Sequence, residues 1–121
     1  MSALDEQTTA TGSAALADGT RVSMRRVRLR DLDTLRAIAG RAGIVCEEFE
    51  LARLVRSDPA ERLVLCATTV RGRTETVLGV GVIELAGSAT MPSLILVDPS
   101  CGRPLAVLLA EALVDRARAV A

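Results

Sequence analysis

The chain is 121 residues long, half of it is hydrophobic, and 15 arginines balance 15 acidic residues, so its formal net charge is zero. This balance gives no electrostatic reason to expect a nucleic acid or a membrane as a partner. Phe49 is the single aromatic residue, which excludes the aromatic platforms on which proteins stack nucleic-acid bases.

The sequence contains no histidine, and its three cysteines lack the CxxC spacing of zinc sites. Histidine acid–base chemistry is therefore excluded, and we expect neither a metal nor a disulfide framework. No apolar run approaches the roughly 18 residues of a membrane span, and the amino terminus lacks the features of a signal peptide, which predicts a cytoplasmic protein. The exclusive use of arginine at basic positions is typical of a GC-rich genome and indicates a bacterial source.

The first half of the chain predicts a leader, a strand and two helices. Residues 1–20 are rich in alanine, threonine and serine without a periodic apolar pattern, which predicts a flexible leader before an α/β domain at 21–121. Apolar residues two positions apart predict an amphipathic strand over 21–29. Apolar positions at helical spacing then predict helices over 31–42 and 46–56.

The second half begins with three predicted strands, at 63–70, 77–85 and 91–97. The first is apolar on both faces and is expected to be central in the sheet, and a glycine-containing turn predicts a hairpin to the second. Within the second strand, Gly79 and Gly81 predict a bulge or a group that lies close against that face.

The strand predicted at 91–97 is followed by a tight turn and a long helix. After Asp98 and Pro99 the apolar period becomes helical, with one broad apolar face that contains Leu105, Leu108, Leu109, Ala112 and Leu113. Unpaired N–H groups at the start of this helix favour an anion such as a pyrophosphate. The predicted fold class is α/β: a short mixed, mainly antiparallel sheet with flanking helices in the order β-α-α-β-β-β-α.

The string Ile-x-Val-x-Pro at residues 95–99, followed by a glycine turn and a leucine-rich helix that ends in Ala-Arg, resembles the acyl-CoA-binding motif of the GNAT N-acetyltransferase superfamily. With one loop residue missing after Ser100, Gly102 matches the first glycine of the family's Arg-Gly-x-Gly-x-Gly turn, and Ala106 matches the last. Pro104 replaces the middle glycine and removes an amide donor, and Cys101 stands where an arginine is usual. The resemblance implies a GNAT fold cut short after this helix.

The resemblance further implies an acyl-CoA-binding protein, either an N-acetyltransferase of reduced activity or one completed by another subunit, with acetyl-CoA as its cofactor. The residues that it implies for the cofactor are Ile95, Val97, Gly102, Arg103, Leu105 and Ala106. Backbone groups of the strand would align the thioester, and amides of the turn would hold the pyrophosphate. Glu84 is the best-placed carboxylate for a catalytic base. The alternatives are a solvated charge for Glu84, simple exposure for Arg103 and a plain chain reversal at Gly102.

Other classes of function stay open. Without the family's fifth strand, the apolar strand at 91–97 would be a free edge, which predicts a non-catalytic interaction or regulatory module. Its expected partner is a second copy in a homodimer, or a protein that supplies the missing strand. A weaker alternative is a STAS-like phosphoswitch at Ser100, although the order of elements before it differs. Cys101 as a nucleophile at a helix start would lack a histidine partner.

Overall fold

Strands that follow one another in the chain also lie side by side in the sheet. The computed structural model describes residues 12–45, 47–86 and 91–120. The strands are β1 (Gly12–Ala15), β2 (Arg21–Arg25), β3 (Arg62–Arg71), β4 (Thr74–Glu84) and β5 (Leu94–Val97). The helices are α1 (Leu32–Arg41), preceded by a 3-10 turn at Leu29–Asp31, α2 (Glu48–Arg56) and α3 (Gly102–Val120). Neighbouring strands pair antiparallel in the order β1-β2-β3-β4-β5.

The predicted α/β class and the predicted order of elements are confirmed, and the third and fourth strands of the prediction lie side by side as β4 and β5. Every described strand pair is antiparallel. The first predicted strand is shorter than expected, because the chain leaves the sheet after Arg25 and enters the 3-10 turn.

Strand β1 lies inside the segment that the composition predicts as a leader, so the boundary at residue 20 differs from the observed one. Its sequence, GSAA, has no apolar alternation, and it pairs with β2 through backbone hydrogen bonds that need no side-chain pattern. The reversal between the strands uses Gly19 at a φ of 91° and an Asp18 carboxylate that accepts the Thr20 N–H at 2.9 Å. Residues 1–11 of the predicted leader lie outside the described residues.

The sheet has an apolar core on each face. Helices α1 and α2 cover one face, where Leu35, Ile38, Leu51, Cys66, Val80 and Leu96 are buried. Helix α3 covers the other, where Val22, Leu65, Ile83, Leu105, Leu109 and Leu113 are buried. Because β3 contributes to both cores, its apolar run is continuous, as predicted for a central strand.

The two glycines of β4 allow close approaches on the α3 side of the sheet. A Cβ atom added at Gly79 would lie 2.5 Å from the carbonyl oxygen of Leu96 in β5. One added at Gly81 would lie 2.6 Å from a methyl carbon of Leu113 in α3. The pairing of β3 and β4 shifts register between Ala67 and Thr68, which is a bulge. Both predicted reasons for the glycines, a bulge and a close group, are confirmed.

No helix among the described residues has both the length and the apolar character that a membrane crossing requires.

Candidate functional site

The outer edge of β5 presents backbone hydrogen-bonding groups without a strand partner among the described residues. The Asp98 N–H donates to Leu78 O of β4 at 2.8 Å. Hydrogen-bonded pairs alternate along an antiparallel ladder. The N–H and C=O groups of Leu96 therefore also point towards β4, whereas those of Ile95 and Val97 point away from it. We call these outward groups of Ile95 and Val97 the β5 edge.

The turn after β5 is organised by Asp98. One carboxylate oxygen, Oδ1, accepts the Ser100 N–H and the Ser100 hydroxyl, both at 3.0 Å. The Asp98 carbonyl oxygen accepts the N–H groups of Cys101 at 2.9 Å and Gly102 at 3.2 Å. The amides of three consecutive turn residues are therefore already bonded to Asp98, and they are not free to receive an external anion.

Asp98 also closes this turn onto α1. Its second carboxylate oxygen accepts a hydrogen bond from the Arg41 guanidinium at 2.7 Å. The Ser100 N–H and then the Arg41 guanidinium stabilise the charged carboxylate, so the pKa of Asp98 lies below its ordinary value. The chain thus places an anion of its own beside the start of α3, where the helix dipole favours one.

Helix α3 begins at Gly102, whose φ of 59° lies in the left-handed region that favours glycine. Arg103 is exposed and has no ion pair among the described residues, while Ala106 is half-buried. Leu105 is completely buried in the α3 core, so its side chain supports the helix and cannot contact a ligand. Of the implied cofactor residues, Ile95 and Val97 lie in β5, and Gly102, Arg103 and Ala106 lie at the start of α3.

Glu84 lies at the other end of this edge. Gly79 pairs with Val97, and Glu84 is five residues further along β4, which places it about 16 Å from the turn. Its carboxylate forms an ion pair with Arg62 on β3, with Nε and Oε2 2.8 Å apart, and the Ser93 hydroxyl lies 3.4 Å from the same oxygen. The candidate base is therefore held by a guanidinium.

The two cysteines that the structure describes, Cys66 and Cys101, do not form a reactive site. Burial raises the pKa of the Cys66 thiol to about 12, so this residue is a neutral core group. Cys101 is half-buried, and its sulfur lies 4.0 Å from the Ser100 hydroxyl. Cys46 lies outside the described residues. Among the described residues, no group of three or more histidine, cysteine, aspartate or glutamate side chains is arranged to hold a metal ion.

An ion cluster with a buried centre, formed by Arg25 and Asp31, joins β2, the 3-10 turn and β4. The Arg25 guanidinium makes paired hydrogen bonds to Asp31 at 2.8 and 2.9 Å and to Glu75 at 2.8 and 3.1 Å. Its remaining N–H donates to the carbonyl of Arg26 at 2.8 Å. All five donors of this arginine are satisfied, and its side chain is 7% exposed. We call Arg25, Asp31 and Glu75 the Arg25 cluster and assign it a structural role.

Sequence reasoning missed two features of these sites. The role of Asp98 was readable from the string Asp-Pro-Ser, since an aspartate two residues before a free N–H commonly forms such a turn. The Arg25 cluster had no local signal, because Glu75 lies 50 residues from Arg25 in the chain.

No family model, curated protein or solved structure matches this chain.

Proposed function

We propose that this chain is a GNAT-like acyl-CoA-binding domain in which the pantetheine arm pairs with the β5 edge. The observation that carries the proposal is the outward direction of the Ile95 and Val97 backbone groups, immediately before a left-handed glycine and a helix start. The amide groups of a pantetheine arm are complementary to such an edge. Exposed Arg103 is the cation nearest in sequence to that helix start and would face the diphosphate.

The Asp98 turn sets the expected strength of binding. Three amides of the turn are bonded to Asp98 and Pro104 has no N–H, so few donors remain for a diphosphate. The Asp98 carboxylate adds repulsion between like charges. We therefore expect weaker binding than a complete glycine turn would give.

Acetyl transfer requires a base, and Glu84, the best-placed carboxylate in the sequence, is held by Arg62 at the far end of the strand. The domain is accordingly proposed to bind acyl-CoA, with any transfer depending on a base from another subunit.

Calorimetric titration of the intact chain with acetyl-CoA tests the proposal. We expect saturable binding that Gly102→Glu abolishes, because the new carboxylate would stand where the diphosphate lies. Gly72→Glu is the matched control, since Gly72 has a similar φ of 63° and nothing within 4 Å of an added Cβ, but lies in the β3–β4 hairpin turn. Absence of binding to the unmodified chain, or equal loss in both variants, would contradict the proposal.

A second candidate function is that of an interaction module that dimerises through the same edge. Antiparallel pairing centred on Leu96 would place Ile95 of each copy opposite Val97 of the other, so the outward groups of both edges would be satisfied. Leu94, the exposed first residue of β5, and Met91, which is exposed just before the strand, would gain cover. This self-complementarity favours a second copy as the partner.

Size-exclusion chromatography with light scattering tests the dimer. We expect a dimer that Ile95→Pro converts to a monomer, because proline removes an outward N–H and leaves the bonds to β4 intact. Acetyl-CoA should also dissociate it if both proposals hold, since the same backbone groups are used. A monomer across the accessible concentration range would exclude dimerisation through this edge.

A further inference from the structure

The sheet contains a gap between β2 and β3. Strand β2 pairs with β3 only as far as Arg25, which lies opposite Cys66, while β3 begins at Arg62. The first residues of β3 therefore have no strand beside them on that side. We call this gap the β3 notch.

Backbone groups of β3 face into the notch. The Leu85 N–H donates to Glu61 O at 2.8 Å. Because hydrogen-bonded pairs alternate along the ladder, the N–H and C=O groups of Leu63 point towards β4 and those of Val64 point away from it. The Arg62 N–H, which points to the same side as Val64, is bonded to Asp58 O at 2.9 Å. The N–H and C=O of Val64 lie beyond the paired part of β2, so they remain without a strand partner among the described residues.

A cavity of about 170 Å³ occupies the notch. Its wall is mostly apolar and comes from β3, α2 and the segment after β2, including Val27, Leu54, Val55, Leu63 and Val64. Arg26, Arg62 and Arg116 also line it. An engineered apolar cavity of about 150 Å³ accommodates benzene, so this space suits an apolar group of similar size.

The charge of the lining is one-sided. Three arginines line the cavity and no aspartate or glutamate does. Arg62 is paired with Glu84, but Arg26 and Arg116 are exposed and have no ion pair with any described residue. Arg25, Arg36 and Arg41 in contrast each bind a carboxylate of the chain. Unpaired guanidinium groups beside an apolar wall are complementary to a carboxylate with a hydrocarbon tail.

We propose that the β3 notch binds a short-chain monocarboxylate, with its hydrocarbon tail against Val27 and Leu54 and its carboxylate on Arg26 and Arg116. The backbone N–H of Val64, which has no strand partner among the described residues, is a further donor to the ligand. This site lies across β3 and β4 from the β5 edge and does not depend on acyl-CoA binding there.

Chemical-shift titration of the intact, ¹⁵N-labelled chain with sodium hexanoate tests this proposal. We expect saturable shifts at the amides of Val27 and Val64, with binding at least about tenfold tighter than that of 1-hexanol or acetate, because each of these lacks one of the two recognised parts. Shifts that do not saturate, that arise away from the notch, or that hexanol reproduces at equal concentration would overturn it.

A pair of double variants separates site binding from general attraction. Arg26→Ala with Arg116→Ala should weaken hexanoate binding at least about tenfold, since both lining cations without partners are removed. Arg73→Ala with Arg118→Ala removes two other exposed arginines that do not line the cavity, and should leave binding unchanged. Equal weakening in the two double variants would show that only overall charge matters and would overturn the proposal.

Discussion

Arg25 and Arg26 are neighbours in the chain and lie in opposite surroundings. Arg25 is buried, and every N–H of its guanidinium is bonded within the protein. Arg26 is exposed at the β3 notch, whose lining contains no carboxylate. The difference indicates that the role of an arginine here depends on whether the fold places a carboxylate beside it. Arg25 is bonded to two carboxylates and stabilises the fold, whereas Arg26 at the β3 notch is available to the proposed ligand.

The same distinction applies to the turn after β5. There the chain supplies Asp98 as an anion for both the turn amides and Arg41, so the site that the glycine motif predicts is partly occupied by the protein itself. The notch, which no motif marks, contains Arg26 and Arg116, and neither has an ion-pair partner in the part of the chain that the structure describes.

The largest effect is expected from breaking the Arg25 cluster. Arg25→Met leaves the Asp31 carboxylate buried without its cation, and should lower the free energy of unfolding by about 3–5 kcal/mol. Arg26→Met is the matched control and should stay within about 0.5 kcal/mol. Urea denaturation measures both, and equal effects would contradict the contrast between the two arginines.

The next largest effect is expected on the stability of the fold at low pH. Burial alone would raise the pKa of Asp31, but hydrogen bonds from Arg25 and the Arg28 N–H outweigh it, and hydrogen bonds from Arg25 lower the pKa of Glu75. Folded-state pKa values below the ordinary 3.8 and 4.5 stabilise the fold above those values, and this stability is lost as the pH falls through the lowered pKa values.

The thermal midpoint should therefore fall steeply below about pH 4, and Asp31→Asn should flatten that decline. Asp33→Asn is the control, because Asp33 is exposed and pairs with exposed Arg36. A decline that is as steep in Asp31→Asn as in the unmodified chain would show that the Arg25 cluster does not govern the acid sensitivity.

A smaller effect, on the affinity for acetyl-CoA, is expected when the negative charge of Asp98 is removed. Asp98→Asn keeps an oxygen for the Ser100 N–H but removes the negative charge, so acetyl-CoA should bind several-fold more tightly, about 1 kcal/mol. Calorimetric titration measures the change. Unchanged or weaker binding would mean that Asp98 does not compete with the diphosphate.

The smallest effect is expected for Arg41, the exposed partner of Asp98. Arg41 is half exposed, and its ion pair with Asp98 is accessible to water, so Arg41→Ala should change the free energy of unfolding by less than about 0.5 kcal/mol. A loss comparable to that of Arg25→Met would remove the distinction between buried and exposed arginines on which the comparison depends.

Local patterns predicted much of the fold. The helical period of Leu105, Leu109 and Leu113 and the two-sided apolar run of β3 were sufficient, because period and face depend only on neighbouring residues. Strand β1 was missed because backbone pairing leaves no side-chain signature. For the candidate site, the role of Ile95, Val97 and Gly102 in holding a ligand stays a prediction. Leu105 has a buried side chain and could contribute only its backbone, and Glu84 is distant and paired.

By itself, the sequence determined the class of the fold, the order of its elements, which faces are apolar, and the absence of histidine chemistry. Only the tertiary structure decided which charges meet, because that depends on strand register over long separations, as between Arg25 and Glu75. It also decided where β2 separates from β3. This separation opens a cavity beside arginines that have no carboxylate partner among the described residues. A one-residue change in register would reverse these faces without altering any local pattern.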